Sequence, residues 1–244
     1  MSSTPAKPYG PSAAVYDLLY TGASIVSFDA GAAEINRIIK VRNPGAASLL
    51  DVACGTGQHL SLLRDQYEVE GVDLSDEMLA VAGARLPDVP LHHGDMRSLD
   101  LGRRFDAVIC MFSSIGHLLE PADMREAFVR MSLHLEPGGV LIVDGWVRPE
   151  GWKDGYLPEL QQATDGRIEV YRLVHSRREG RITTLNHHYL LRDPDGIQHF
   201  LEEHTLALTP TADYVAAAKE TGLEVEVLPD YMPERDRIVG VRPG

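Results

Sequence analysis

Cysteine is nearly absent: Cys54 and Cys110 are the two in 244 residues. Both fall in stretches that read as buried strand ends, so neither a disulfide framework nor a thiolate metal site is expected, and both should be small core residues. Basic residues are also scarce, 23 Lys and Arg against 36 Asp and Glu, which leaves a formal charge of −13. Nucleic-acid binders displace counterions with clustered Lys and Arg, so no nucleic-acid partner is expected. No stretch approaches the roughly 18 apolar residues of a membrane span. Residues 1–8 lack the apolar core of a signal peptide, and the expectation is a cytoplasmic protein without membrane contact. Repeats and low-complexity segments are missing too.

What is present suits a single domain over 1–244 with a modest insertion. Residues 1–11 hold three prolines and no apolar periodicity, and should be disordered or draped over the surface. Organisation centres on residues 48–58, which read as a buried strand running into a glycine turn. Leu49, Leu50 and Val52 form an apolar run without alternation, as in a parallel strand covered on both faces, and Asp51 interrupts it. Gly55 and Gly57 give the turn its freedom and let a ligand approach the main chain, and the next helix, about 59–66, points its N-terminus there. A second strand over 70–75 carries Asp73 at its C-terminal end, where a doubly wound fold places an acid that accepts from ribose hydroxyls. A dinucleotide fingerprint needs a third glycine three residues after the second. Leu60 stands there, which disfavours a dehydrogenase.

Further strands are expected near 90–93, 105–111 and 139–145. Helices near 30–42, the first with apolar positions Ile35, Ile38, Ile39 and Val41, 76–85 and 121–135 alternate with them, which implies a parallel sheet wound on both faces. Ser75 with Asp76 and Glu77 reads as the cap and acidic first turn of the helix over 76–85. Past Trp146 the pattern changes to strand signals over 167–176, 181–191 and 197–208, separated by hairpin turns at 178–180 and 193–196. These make a three-stranded antiparallel meander inserted at 167–208, able to roof an active site or to pair with a second subunit in a homodimer. A helix over 211–221 and a terminal strand pair follow. His187, His188, His199 and His204 crowd the meander, but successive strand residues face opposite sides, so His187 and His188 cannot share one site and no metal is expected.

Four elements stand in order: Asp-Val-Ala-Cys-Gly-Thr-Gly from Asp51, the strand-two acid Asp73, Gly94-Asp95-Met96, and Pro137-Gly138-Gly139. On these the chain resembles the class I S-adenosylmethionine-dependent methyltransferases, from about residue 16 to 244. The segments 111–117, Met-Phe-Ser-Ser-Ile-Gly-His, and 134–140, His-Leu-Glu-Pro-Gly-Gly-Val, are similar to the N,N-dimethyltransferases that act on nucleotide-linked amino sugars in antibiotic pathways. The resemblance implies an α/β fold with a doubly wound, mainly parallel seven-stranded sheet, S-adenosylmethionine as cofactor, and a small-molecule amine as acceptor.

It also implies roles for individual residues. Asp51 with Ala53, Cys54, Gly55, Thr56 and Gly57 would hold the methionine portion, Asp73 the ribose, and Asp95 with Met96 the adenine. Leu74, Met78, Gly94, Met111 and Phe112 complete the cofactor set. An amine acceptor must lose its proton, for which a histidine poised near pH ~7 is suited; His117, leaving strand four at the site, is the catalytic candidate. Tyr16 and Tyr20, at i and i+4, suit the cover of a core edge equally well, but the family's tyrosine-bearing N-terminal segment closes over the site, which makes Tyr16 a lid and second catalytic candidate. Trp146, Arg148 and Trp152, after strand five, either contact substrate or pack on the surface.

Two segments depart from the family. Asp144-Gly145-Trp146-Val147 replaces Glu-Pro-Trp-Trp, and residues 230–237 replace the loop Gly-Gly-Pro-Ser-Gly-Arg-Gly. The cofactor site therefore carries over residue by residue, and the nucleotide-sugar site does not. A small-molecule O-methyltransferase would use the same cofactor site, and a noncatalytic nucleoside-binding module is the alternative outside enzymes.

Overall fold

The computed structural model describes residues 7–22, 27–154 and 160–244. Strands β1 (Ser48–Val52), β2 (Glu68–Asp73), β3 (Leu91–His93), β4 (Phe105–Cys110) and β5 (Leu135–Asp144) run parallel. They alternate with α3 (Gln58–Leu63), α4 (Asp76–Arg85) and α5 (Pro121–Leu133), and α2 (Phe28–Arg42) precedes them. After α6 (Thr211–Glu220), β10 (Glu224–Met232) and β11 (Arg235–Val241) complete a seven-stranded sheet ordered β10-β11-β5-β4-β1-β2-β3, with β11 antiparallel to both neighbours. The order reverses between β1 and β4, so the crevice at their carboxyl ends is where such a fold binds ligands.

One core layer packs α5 and α6 on the sheet through Phe105, Phe128 and Met131, and the other packs α2 and α3 through Ile35, Ile38, Ile39, Leu60 and Leu63. Val41, which the periodicity grouped with the α2 isoleucines, is 67% exposed; it falls off the stripe those three define. Ser75 caps α4 as expected, its hydroxyl accepting from Met78 N–H at 3.2 Å, with Asp76 and Glu77 in the first turn. Leu60, standing where a third glycine would be, lies over Gly71 of β2. A Cβ on Gly71 would come within 2.7 Å of Leu60 Cδ1 and 2.8 Å of Cys54 Sγ. The close approach of α3 to the sheet is thus made by a glycine on the strand.

The second sheet has four strands, β6 (Gln161–Thr164), β7 (Glu169–Glu179), β8 (Ile182–Asp193) and β9 (Gly196–Ala207), antiparallel in that order. The expected meander of three gains β6, whose sequence Gln-Gln-Ala-Thr carries almost no strand signal and which is held by pairing with β7. Helix α1 (Ala13–Gly22) buries Val15 and Leu19 with Ala163, Val170 and Tyr189 of this sheet. Burying a leucine in this way contributes roughly 1.5–3 kcal/mol.

Alternation puts His187 and His204 together on the inner face, rings 4.4 Å apart, and stacks His188 on His199 outside at 5.8 Å. Among the described residues no cluster of His, Cys, Asp or Glu has the arrangement of a metal site, and no helix is long and apolar enough to cross a membrane. Of the segment expected to be disordered or draped over the surface, residues 1–6 lie outside the described residues. Lys7 to Gly10 form a turn, closed by Gly10 N–H to the Lys7 carbonyl at 3.1 Å. This turn packs into the site.

Candidate active site

A cavity of about 540 Å³ opens at the carboxyl ends of β1, β2 and β4. Its wall includes Tyr16, Ala53, Gly55, Asp73, Leu74 and Met78, then Gly94, Asp95, Met96, Phe112 and His117, all expected at the site. Five other expected cofactor residues stand behind this wall. Met111 and Cys54 are buried in the core, and Gly57 turns the chain at φ +74° against Ala82 and Leu86. Thr56 donates its hydroxyl to Asp17 at 2.6 Å. Arg85 bonds both Asp17 and the Thr56 carbonyl, so α1 is tied to the glycine turn and to α4. Asp51 is fully enclosed beneath the turn.

The carboxylates define what the cofactor half can hold. Asp73 accepts from Gly55 N–H and Ser75 N–H, both at 2.8 Å. Burial raises its pKa, against which those backbone bonds pull. Each of its oxygens can still accept a second hydrogen bond, as a ribose diol requires. Both oxygens of Asp51 are buried with no hydrogen-bond partner among the described residues. Burial, and then the charge of Asp73, pushes its pKa well up. An interior carboxyl without a partner is costly and suits a cation, which the ammonium of a methionine moiety would supply. Gly55 at φ +55° has nothing within 4 Å of where a Cβ would be, so its backbone is open to a ligand. Helix α3, with six residues, is too short to contribute much dipole; the expected helix-end contact gives way to loop and carboxylates. Asp95 is held by Arg97, whose bond to it lowers its pKa, and Arg97 reaches on to Asp123. The residues fit S-adenosylmethionine.

The other half of the cavity is built around a residue that sequence reasoning missed. Tyr9 OH lies 3.1 Å from His117 Nε2, with its ring edge-on to Tyr16 at 6.1 Å and to His204 at 4.7 Å. Burial raises the pKa of both Tyr9 and Tyr16, so both stay phenols. For His117, burial and then the neighbouring His204 push the pKa down to about 4, opposed by a hydrogen bond to the Thr205 backbone. The ring expected to be poised near pH 7 is therefore neutral throughout that range, because the roof encloses it.

Trp146, Arg148 and Trp152 do not line the cavity. Trp146 donates to Thr183 Oγ1 at 3.3 Å and lies under Arg235, and Trp152 donates to Asp154. Arg148 is taken up by the β10–β11 hairpin, bonding Asp230 and Asp236 at 2.7 Å and Glu234 at 2.9 Å. Three carboxylates around one guanidinium leave it no free fork for a substrate. The loop after β4 is strained: Phe112 and Ser113 have φ +51° and +65°. Phe112 N–H donates to Asp144, itself paired with Arg237, and Ser113 donates to the Gly145 carbonyl.

Known proteins resemble the chain along almost its whole length. Residues 49–139 match the methyltransferase domain family. The chain is 44% identical over 234 residues to the dTDP-3-amino-3,6-dideoxy-alpha-D-glucopyranose N,N-dimethyltransferase of Streptomyces fradiae, covering 95% of this chain and 91% of that one. Among solved structures it superposes on DesVI from Streptomyces venezuelae with a TM-score of 0.89, at 41% identity and covering 95% and 98% of the two chains. It superposes on S-adenosylmethionine-bound CalS10, an amino pentose methyltransferase from Micromonospora echinaspora, with a TM-score of 0.84, at 37% identity and 99% coverage of both. S-adenosylmethionine is thus the cofactor, and the chain belongs to the family of N,N-dimethyltransferases of nucleotide-linked amino sugars.

Proposed function

We propose that this enzyme methylates the amine of a nucleotide-linked amino sugar, in two successive transfers. The observation that carries this reading is the neutral Tyr9–His117 pair at the acceptor end of the cavity. When bound, S-adenosylmethionine supplies a methyl group on a positive sulfur, a ready leaving group. The protein has to position the acceptor and receive one proton per transfer. With its N–H engaged by the Thr205 backbone, His117 presents its Nε2 lone pair to the Tyr9 hydroxyl. The amine gives its proton to the Tyr9 oxygen as Tyr9 gives its own to Nε2, so no phenolate forms, and His117, whose charged form burial disfavours, gives that proton up to solvent before the next transfer. Glu120 and Asp123, also on the wall, favour the approach of an ammonium.

In this reading Asp51 pairs with the cofactor's ammonium, Asp73 with its ribose and Asp95 with its adenine, Met78, Met96 and Phe112 supply apolar surface, and Tyr16 is part of the lid. Mass-detected methyl transfer to dTDP-linked amino sugars, simple amines and sugar hydroxyls is the test. Dimethylated amino sugar is the expected product; methylated hydroxyls with every amine inert would overturn the N-methyl reading.

The reading extends to the whole chain as one methyltransferase domain, with the second sheet as its roof, working in the cytoplasm on a small molecule and not on nucleic acid. The outer face of that sheet exposes Leu173, Leu190 and Ile197, a surface suited to pairing two copies. Sedimentation of the wild type and of a Leu173→Glu, Leu190→Glu variant tests for a homodimer.

A further inference from the structure

The inner face of the second sheet carries a buried carboxylate that methyl transfer as described does not use. Glu202 on β9 is completely enclosed. It accepts from Ser12 Oγ–H at 2.8 Å, Ser12 N–H at 3.0 Å and Tyr9 N–H at 3.3 Å, and its Oε2 is 3.3 Å from His204 Nε2. Burial raises its pKa, but the bonds from His204 and Ser12 outweigh this and hold it below the usual carboxylate range. A buried charge is a poor way to gain stability, since apolar replacements of such groups are often neutral or better. What the carboxylate does supply is geometry. Three of the groups bonded to it, Tyr9 N–H and the N–H and hydroxyl of Ser12, come from one turn, 190 residues or more away in sequence. That turn enters α1, whose N-terminal end favours an anion. Within it Tyr9 sits at φ +59°, a conformation that costs a non-glycine residue roughly 1–2 kcal/mol and persists only where the surroundings impose it.

We propose that Glu202 is a positioning residue of the acceptor site: by gripping the Tyr9–Ser12 turn it sets the Tyr9 hydroxyl on His117 and so couples the inserted sheet to methyl transfer. The proposal rests on the amine-methyltransferase reading above. Glu202→Gln keeps the volume but turns one acceptor oxygen into an NH2 group, which cannot accept from Ser12 or Tyr9. Two measurements on the full chain test it. In a kinetic cycle with Tyr9→Phe, Glu202→Gln lowers kcat at least tenfold in the wild-type background and less than twofold where the Tyr9 hydroxyl is already gone, because both changes break one unit. Chymotryptic cleavage after residue 9, read by intact mass, is at least tenfold faster in Glu202→Gln than in wild type. Ser12→Ala, which removes one of the same bonds, takes its place if Glu202→Gln does not fold. Equal fold losses in both backgrounds, or unchanged cleavage, would overturn the proposal. A wild type that methylates no amine would sink the functional reading instead, and the cleavage rates would then decide the grip alone.

Discussion

Asp51 offers a test in which binding and stability move in opposite directions. Its two oxygens are buried without a partner among the described residues, and its pKa is raised by burial and by Asp73. A carboxyl whose native pKa lies above its unfolded value contributes stability below the unfolded value, near 3.9, and loses it as pH rises through the raised native one. Near neutrality the free protein therefore carries Asp51 at a cost of roughly 1–3 kcal/mol. Asp51→Leu preserves the branched shape and removes that cost. The free variant should melt at least as high as wild type, by about 2–4 °C for each kcal/mol in a chain of this size. Cofactor binding should suffer, because the ammonium loses a charged partner worth roughly 1.5–3 kcal/mol, about a 10- to 150-fold weaker Kd. Calorimetric titration and melting curves with and without S-adenosylmethionine give both numbers. The same linkage makes wild-type binding release a proton and tighten with pH across the raised carboxyl range. Unchanged affinity in Asp51→Leu, or a free variant melting well below wild type, would refute the reasoning.

Three further outcomes follow from the geometry. His117→Ala should lower kcat/KM by ~10²-fold near neutral pH, with the loss shrinking at high pH, where the acceptor arrives neutral; the acid limb of both profiles should belong to the acceptor amine, since burial keeps His117 neutral down to about pH 4. Burial likewise lowers His59 to about 4, so the unfolded chain takes up its proton first as pH falls through 6.5, and stability should drop by roughly 2 kcal/mol between pH 7 and 5 from this group; urea unfolding of His59→Leu should lack that part of the drop. Gly71→Ala should destabilise by about 1–3 kcal/mol, its Cβ meeting Leu60, Cys54 and Leu91 all within 2.9 Å, and Leu60→Ala in the same chain should recover part of the loss in thermal melts.

The parts of the molecule that could be read from the sequence are those fixed by neighbours along the chain. The apolar run of β1, the glycine turn, the acid closing β2 and the Ser75 cap are local patterns, each with a local cause, and together they build one half of the cavity. Strand β6 shows the converse. Gln161 to Thr164 has little intrinsic preference for a strand and is one because β7 offers it a partner.

The acceptor half depends on long-range contacts of this second kind. Arg148 is near the cavity in sequence terms, just past β5, yet its direction is set by three carboxylates more than 80 residues on. Those acids lie in one of the two segments that depart from the family pattern and Arg148 follows the other closely, so the departures form a single interlocked unit. The neutrality of His117 depends on how far the roof encloses it, which no spacing encodes. Tyr9 was the least legible residue. A proline-rich segment without periodicity has no local reason to hold one conformation, and here the reason is Glu202, supplied from the other end of the chain. The signal that did exist was a glutamate on the same face as His187 and His204. A carboxylate on the packed side of a strand must find donors, and the unassigned N-terminal turn was the segment still free to provide them.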